Sequence, residues 1–296
     1  MAGHPAVRMP LTPTTRVLLT GAGAQLAGAI RARFEGHCAL TAVTRQECDI
    51  ASPAAVARVL ASANPDVIIN CASYNDVDGA ERDPRAALSA NGLAVGVLAD
   101  AAAGADAVLL HYSTDFVFDP AVDPGPLRED APTSPRSIYA QSKLLGEILA
   151  KRAPRHYVLR VASLFGGSRA KSSLDRLAAA IRRGDTVKAF ANRTVTPSYV
   201  PDLAEAAAAL LARDVPYGLY HCVNSGHGTW VDVARAIAVA SGLDADRAVT
   251  PVPFDPSAFP ARRPTYAALS NAALAAHGVM MPPWRDAIAR YVRTLS

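Results

Sequence analysis

Short apolar runs alternate with amphipathic segments along the first half of the chain. The apolar runs predict strands at residues 16–20, 38–44, 66–70, 107–112 and 157–161. The segments between them predict helices at residues 25–34, 53–63, 84–103 and 139–150, two of which open with a capping residue followed by Pro. Short continuous apolar strands between helices are typical of a parallel sheet covered on both faces. The sequence therefore predicts an α/β fold with a doubly wound parallel sheet, the Rossmann architecture.

The second half of the chain follows a different pattern. Helices are predicted at residues 174–183, 202–212 and 231–240, with Pro-rich connections between them, notably at residues 251–264. This pattern indicates a smaller C-terminal lobe assembled from separate pieces. We predict a flexible N-terminal segment, a dinucleotide-binding domain and a substrate-binding lobe. Their bounds are 1–14 for the segment, 15–167 with a returning segment at about 198–225 for the domain, and 168–197 with 226–296 for the lobe.

Composition narrows the function classes without choosing one. Of the 296 residues, 50% are hydrophobic and 19% are charged, as in ordinary soluble globular proteins. The net charge of +4 is spread along the chain with no run of basic residues, which argues against nucleic-acid binding. Residues 1–14 contain no apolar leader, and no uninterrupted apolar stretch reaches about eighteen residues, so we expect a cytoplasmic protein with no membrane span.

The cysteines and histidines form no metal-binding pattern. No CxxC pair occurs among the four cysteines, and the spacing of the histidines does not suit a shared metal ion. The residues considered are Cys38, Cys48, Cys71, Cys222, His111, His221 and His227. We therefore expect free thiols in a reducing compartment and no bound metal.

A glycine-rich turn follows the first predicted strand. Residues 18–28 read Leu-Leu-Thr-Gly-Ala-Gly-Ala-Gln-Leu-Ala-Gly. Between a strand and a helix, such a turn lets backbone N–H groups at the helix N-terminus meet a pyrophosphate, although a tight connection without a ligand is the alternative. The predicted phosphate-binding residues are Gly21, Gly23, Ala24, Gln25 and Leu26.

The end of the second predicted strand bears on the choice of cofactor. An acidic residue there would bind the ribose 2′-OH of NAD, and residues 43–45 contain none. Arg45 could instead pair with the 2′-phosphate of NADP. We therefore predict a preference for NADPH, with NADH as the alternative, and we place Asp49 and Ile50 at the border of the adenine.

Tyr139 and Lys143 are four residues apart in a predicted helix, so their side chains share one face. An ammonium beside a phenol favours the phenolate and lowers the pKa of the phenol, which suits proton transfer to a carbonyl or alcohol oxygen. Ser113 and Thr114 follow the fourth predicted strand, at the edge of the sheet where ligands bind. A hydroxyl there can hold a substrate carbonyl near Tyr139, or can simply cap a turn.

Together these motifs resemble those of extended short-chain dehydrogenases/reductases, and more narrowly those of the dTDP-4-dehydrorhamnose reductase family. The resemblance covers residues 15–292, and the order and spacing of the motifs carry it. Besides the glycine turn, the matching segments are Asp-Val-Ile-Ile-Asn-Cys-Ala-Ser-Tyr (66–74), Ser-Thr-Asp-Phe-Val-Phe (113–118), Tyr-Ala-Gln-Ser-Lys (139–143), Leu-Arg-Val-Ala-Ser-Leu-Phe-Gly (159–166), Asn-Arg-Thr-Val-Thr-Pro-Ser (192–198), Gly-Leu-Tyr-His-Cys-Val-Asn-Ser-Gly (218–226) and Arg-Arg-Pro (262–264).

The resemblance implies NAD(P)H-dependent reduction of the 4-keto group of a nucleotide-linked, dTDP-type 6-deoxyhexose in deoxysugar biosynthesis. By analogy Thr114, Tyr139 and Lys143 form the catalytic set. Tyr139 would protonate the oxygen that receives the hydride, and Lys143 would lower the pKa of the phenol and hold the nicotinamide ribose. The implied cofactor-binding residues also include Cys71, Ala72, Ser73, Tyr74, Asn91 and Ser113, and the implied substrate-binding residues are Ser113, Thr114, Phe116, Leu164, Arg262 and Arg263.

Three positions depart from the family pattern. Ala24 and Ala27 stand where the family usually has Gly, which bears on phosphate binding and on helix packing. Leu164 stands where the family often has Trp, beside the expected sugar pocket, so the particular sugar stays open.

Rival functions share the same fold. A nucleotide-sugar 4,6-dehydratase would carry an Asp-Glu pair after the Thr, and this chain has Asp115 and Phe116 there. An epimerase would retain its cofactor and show no net oxidation of NADPH. A regulatory subunit of the methionine adenosyltransferase type would act by binding alone. Partner chains, including a second copy in a homo-oligomer, are left open by the sequence.

Overall fold

Strands and helices alternate through most of the chain in a computed structural model that describes residues 8–120, 125–168 and 171–295. The strands are β1 (Arg16–Thr20), β2 (Ala39–Val43), β3 (Val67–Asn70), β4 (Val108–Thr114), β5 (His156–Val161), β6 (Leu164–Phe165), β7 (Val187–Phe190), β8 (Thr194–Val195), β9 (Ser198–Tyr199), β10 (Gly218–His221), β11 (Gly228–Thr229) and β12 (Val249–Val252). The helices are α1 (Gln25–Phe34), α2 (Pro53–Ala63), α3 (Val77–Arg82), α4 (Pro84–Leu88), α5 (Ala94–Gly104), α6 (Ile138–Ala150), α7 (Ser173–Arg182), α8 (Val200–Ala212), α9 (Trp230–Ala240), α10 (Ala245–Ala248), α11 (Ala272–Ala276) and α12 (Trp284–Arg293).

The central sheet has six parallel strands in the order β10-β5-β4-β3-β1-β2. One face is covered by α1 and α8 and the other by α2, α5 and α6, so both faces are buried. This arrangement confirms the predicted doubly wound α/β fold. The strand order reverses between β1 and β3, and ligands of such sheets bind at the carboxyl ends of the strands at that point.

Strand β4 is longer than predicted, and its extension matters for the site. It runs to Thr114 because its register with β5 continues through Ser113 and Thr114. Both hydroxyl side chains are therefore held by the sheet rather than by a loop. Ser137 caps the N-terminus of α6 by accepting the N–H of Ala140 at 3.2 Å, which fixes Tyr139 in the first turn of that helix.

The single helix predicted at residues 84–103 is a composite. A π-helical turn at Ser89–Leu93 joins α4 to α5, and Gly146 of α6 packs on it at a point where a Cβ would overlap the carbonyl of Asn91. The run Pro84–Gly104 has 21 residues and a mean hydropathy of 1.4 in its most apolar window, enough to cross a membrane by length and composition alone. Half of that window is buried inside the fold, and core helices meet the same criteria. Polar residues interrupt the run Pro84–Gly104, so it is not an uninterrupted apolar stretch of the kind considered in the sequence.

The C-terminal lobe has its own core between α7, α9 and α12. Strand β10, in the predicted returning segment, completes the edge of the central sheet, and α8 of the same segment packs against α1. In the predicted N-terminal segment, the N–H of Met9 donates to the carbonyl of Leu211 at 2.7 Å, and Met9 and Leu11 pack on the core. Residues 1–7 lie outside the described residues.

Candidate active site

Two adjoining cavities lie along the carboxyl edge of the central sheet. One has a volume of about 410 Å³ and the other of about 480 Å³. They share Ala24 and residues 71–73, so they form one continuous cleft. We refer to the first as the catalytic cavity and to the second as the turn cavity. Most of the predicted site residues line one or the other.

The turn cavity begins at the glycine turn after β1. Gly21 has a φ of +69°, and a Cβ there would overlap the backbone of Ala72, so this position requires glycine. Ala24 is the N-cap of α1, has an ordinary extended conformation (φ −77°) and makes no side-chain capping bond. The first N–H groups of α1 therefore face the cleft without a capping side chain, as in sites that bind phosphate at a helix N-terminus.

The same cavity is lined by the residues predicted for the adenosine half of a dinucleotide. They are Gly21, Gly23, Arg45, Asp49, Ile50, Cys71, Ala72, Ser73 and Tyr74. Arg45 is exposed, at the outer end of the cavity. Gln25 lines the catalytic cavity, but its side-chain amide donates to the carbonyl of Gly166 at 2.7 Å and to Asp175 at 2.9 Å. That side chain thus connects α1 to the start of the C-terminal lobe.

Thr114, Tyr139 and Lys143 are brought together in the catalytic cavity, and all three are buried. Burial raises the pKa of Tyr139 to about 12, while the Thr114 hydroxyl acts on that pKa in the opposite direction. Burial has the largest effect on this pKa, and the expectation that Lys143 lowers it stays a prediction. The phenol is held in its protonated form.

Lys143 lies one helical turn beyond Tyr139 but points to the sheet. Its Nζ donates to the carbonyl of Tyr112 at 2.6 Å. Burial lowers the pKa of Lys143 to about 8, while the charge of Glu147 acts in the opposite direction. The ammonium is thus held at the floor of the cavity, with a pKa close to neutral pH.

A buried ion pair supports this floor. Glu147, one further turn along α6, accepts two hydrogen bonds from Arg160, at 2.9 and 2.7 Å, and both side chains are almost fully buried. The hydroxyl of Ser113 donates to Glu147 at 2.6 Å. The expectation that Ser113 donates to a substrate carbonyl is not met here, because its proton is directed to Glu147. Thr114 lines the cavity, where its hydroxyl donates to Asp115 at 3.0 Å and accepts the N–H of Phe116 at 3.2 Å.

Asn91 lies behind the cleft and lines neither cavity. Its Oδ1 accepts hydrogen bonds from the Ser73 hydroxyl at 2.9 Å and from the Tyr74 N–H at 2.7 Å, and its Nδ2 donates to Ser142 of α6 at 3.0 Å. The prediction of direct cofactor binding by Asn91 is therefore corrected to support of the loop after β3.

The expected substrate residues separate into two groups. Phe116, Leu164 and Arg263 line the catalytic cavity, and the ring of Phe116 meets that of Tyr139 edge to face at 5.7 Å. Arg262 does not line the cavity: its side chain is 55% exposed and pairs with Asp119 at 2.8 Å. Neighbouring residues in an extended loop point to opposite sides, so only one of the two arginines can face the cleft.

Among the lining residues that were not predicted, Asp115, Arg193 and Trp230 carry groups that can act on a ligand. Asp115 is buried next to Thr114, and burial raises its pKa to about 6. Arg193 and Trp230 enter the catalytic cavity from the C-terminal lobe. Asp115 could have been found from its place in the Ser-Thr-Asp run at the strand end. Arg193 and Trp230 carry no local signal, because only the tertiary fold brings their lobe to the sheet edge.

Comparison with known proteins gives matches over nearly the whole chain. A family model described as the RmlD substrate binding domain matches residues 15–296. The chain is 38% identical over 282 residues to dTDP-4-dehydrorhamnose reductase of Mycolicibacterium smegmatis, which covers 92% of this chain and 84% of that protein. It is 32% identical to dTDP-4-dehydrorhamnose reductase of Burkholderia thailandensis, over 95% and 99% of the two chains. Among solved structures it is similar to dTDP-4-dehydrorhamnose reductase of Bacillus anthracis in complex with NADP, with a TM-score of 0.87, 26% identity and coverage of 95% and 99%.

Proposed function

The chain belongs to the family of the RmlD substrate binding domain, and on this basis we propose that it reduces the 4-keto group of a nucleotide-linked 6-deoxyhexose with NADPH. The relatives at 38% and 32% identity are named dTDP-4-dehydrorhamnose reductases, so a dTDP sugar of deoxysugar biosynthesis is the proposed substrate. The observation that carries the proposal is the buried phenol of Tyr139, which lines one cavity with Thr114 and Lys143 in a cleft that continues to the glycine turn.

The residues of the cleft fit a dinucleotide. The backbone at Gly21 approaches Ala72 too closely for any side chain, and the N-terminus of α1 has no side-chain cap. The uncapped N-terminus of α1 provides N–H donors for a pyrophosphate, and the turn at Gly21 leads the chain into it. Arg45 lies where a ribose 2′-phosphate would need a cation, and the relative from Bacillus anthracis was solved with NADP. NADPH, when bound, would supply the hydride.

The protein side chains then bind the carbonyl oxygen of the substrate and supply its proton. Thr114 holds the substrate carbonyl, and Tyr139 donates its proton to that oxygen as negative charge develops on it. A pKa of about 12 keeps the phenol protonated at neutral pH, so it is ready to act as a general acid. Lys143 supplies positive charge below the phenol, and this charge stabilises the phenolate that remains after the transfer. Asn91 and Ser113 act indirectly, through the loop after β3 and through Glu147.

The test of this function is the decay of NADPH absorbance with dTDP-4-keto-6-deoxyhexoses. We expect net oxidation of NADPH with at least one such sugar. An epimerase would bind the sugar without net oxidation, and a regulatory subunit would bind NADPH without turnover. The absence of decay with every sugar of this class would exclude the reductase.

Arg45 is expected to determine the preference for NADPH over NADH. Its replacement in Arg45→Ala removes a charge-assisted contact to the 2′-phosphate, so the KM for NADPH should rise by about tenfold while the KM for NADH stays the same. Steady-state kinetics with both cofactors measure this. Arg31→Ala is the matched control, since Arg31 is an exposed arginine on α1 that lines neither cavity. Equal or better turnover with NADH, unaffected by Arg45→Ala, would contradict the assignment.

The identity of the sugar, the cytoplasmic location and a homo-oligomeric state stay predictions. Leu164 lines the catalytic cavity beside Ser163, which has a φ of +44°. Leu164 is smaller than the Trp that the family often has at this position. Measuring NADPH oxidation with a panel of keto-sugars would define which sugar the cavity accepts.

A further inference from the structure

Arg193 is a buried cation that forms no ion pair with the described residues. Its residue is 9% exposed, and it lines the catalytic cavity. Among the described residues, no carboxylate oxygen lies within the 4.0 Å ion-pair distance of its guanidinium. The one hydrogen bond that these residues give it runs from Nε to the carbonyl of Pro264 at 3.1 Å. The buried guanidiniums of Arg160 and Arg263, in contrast, are paired with Glu147 and Asp78.

The surroundings of Arg193 concentrate positive charge at one end of the cavity. The guanidinium lies 5.0 Å from the ring centroid of Phe254 and 5.9 Å from that of Phe116, which hold it in place. Burial lowers the pKa of Arg193 to about 10, and the charge of Arg263 acts in the same direction, while Asp115 partly opposes both. Arg193 remains charged at neutral pH. An unpaired buried charge of this kind is unfavourable unless an anion neutralises it.

A second unsatisfied donor lies in the same cavity. The indole Nε1 of Trp230 is buried, and none of the residues that the structure describes accepts a hydrogen bond from it. The backbone N–H of Trp230 donates to the carbonyl of Arg193 at 3.2 Å, so the two residues are held side by side in the C-terminal lobe. A cation and an indole donor that both lack partners indicate an acceptor-rich, anionic group at this place.

The position of Arg193 relative to Tyr139 suggests which anion this is. Both line the catalytic cavity and both contact Phe116, whose ring lies 5.7 Å from the Tyr139 ring and 5.9 Å from the Arg193 guanidinium. In a nucleotide sugar the phosphate is attached at C1, across the sugar ring from C4. A sugar that presents its 4-keto group to Tyr139 therefore directs its diphosphate away from that residue, and Arg193 is a cation of the same cavity that forms no ion pair with the described residues.

Resting on the proposed function, we infer that Arg193 binds the diphosphate of the nucleotide sugar, with Trp230 as a second donor and Arg263 at the margin of the same site. This assignment replaces that of Arg262, whose side chain lies outside the cavity on Asp119. Arg193 is thus a substrate-binding residue that acts at the end of the sugar away from the hydride.

The experiment compares dTDP with thymidine as probes, using isothermal titration of the NADPH-loaded protein. In the wild type we expect dTDP to bind more tightly than thymidine, because thymidine lacks the phosphates. Arg193→Gln should weaken dTDP binding by about ten- to a hundredfold and leave thymidine binding unchanged. Arg193→Lys should retain part of the affinity. Arg235→Gln, which removes an exposed arginine of the same lobe, is the matched control.

The kinetic readout separates this role from catalysis. Arg193→Gln should raise the KM for the keto-sugar by a factor similar to the loss of dTDP affinity and change kcat much less, since the contact is made equally in the ground state and the transition state. Normal NADPH binding shows that the variant is folded. If Arg193→Gln does not fold, the loss of dTDP affinity in Arg193→Lys relative to the Arg235→Gln control decides instead.

Four results would overturn the inference. The first two are equal binding of dTDP and thymidine by the wild type, and unchanged dTDP affinity in a folded Arg193→Gln variant. The third is a wild type that reduces the keto-sugar but does not bind dTDP. The fourth is a larger loss of dTDP affinity in Arg262→Gln than in Arg193→Gln. A wild type that binds dTDP through Arg193 but reduces no keto-sugar would instead reject the proposed function and leave the diphosphate site standing.

Discussion

Replacing Tyr139 with Phe is expected to lower kcat by about 10²- to 10⁴-fold, the range for losing a positioned general acid. The variant loses only the hydroxyl, so the edge-to-face contact of the ring with Phe116 is retained. NADPH and dTDP should bind as they do to the wild type, because no phosphate contact is changed. The loss should therefore lie in kcat rather than in binding. Steady-state NADPH oxidation and cofactor titration measure the two quantities separately.

The control for Tyr139→Phe removes a phenol outside the cleft. Tyr220 lies on β10 at the sheet edge, and its hydroxyl donates to the carbonyl of Pro216 at 2.8 Å. Tyr220→Phe should leave kcat within a factor of about two, since it alters one ordinary hydrogen bond. If NADPH decay with the keto-sugar survives in Tyr139→Phe at the wild-type rate, the assignment of Tyr139 as general acid is wrong.

Replacing Glu147 with Leu is expected to lower the free energy of unfolding by about 3–5 kcal/mol, the typical result of removing one partner of a buried ion pair. The charge of Arg160 would be left in the core, since its side chain is only 4% exposed. The hydroxyl of Ser113 would also lose its acceptor. Chemical denaturation of the purified variants, monitored by circular dichroism, gives the free energies.

Two further variants test the reason for this loss. The double variant Glu147→Leu with Arg160→Met removes both charges and should recover much of the stability, because no uncompensated charge remains. Glu205→Leu breaks an exposed ion pair with Arg33 and should change the stability by less than about 1 kcal/mol. A double variant less stable than the single one would show that the buried charge is not the cause.

The fold followed from the sequence wherever local pattern decides local structure. The strands β1 to β5 are continuous apolar runs, and their alternation with helices is enough to predict a doubly wound sheet. β10 was not predicted as a strand, because Gly218–His221 is short and only partly buried, as edge strands often are. Helix α12 was also missed, although Trp284, Ile288 and Tyr291 have amphipathic spacing, because it begins after Pro283 without a side-chain cap.

The two cavities of the site also differ in how far the local sequence predicts them. The turn cavity is built by the segments that follow the first three predicted strands, so its residues could be named from sequence. The catalytic cavity closes against the other lobe, and its contacts join distant positions. Arg263 pairs with Asp78 and Arg262 with Asp119, partners that no local pattern indicates. The sequence predicted a guanidinium for the diphosphate, but the choice among Arg193, Arg262 and Arg263 depends on tertiary packing.

The geometry of the glycine turn explains how this chain can differ from its family there. Ala24 has an ordinary extended φ, and Ala27 is an interior residue of α1, so a methyl group fits both backbone conformations. Gly21 differs in kind, since its φ is positive and its Cα faces the backbone of Ala72. Alanine can therefore replace glycine at positions 24 and 27 of this turn without a change of backbone conformation. Alanine cannot replace Gly21 in this way, because its Cβ would overlap the main chain at Ala72, and no change of a neighbouring side chain would relieve that overlap.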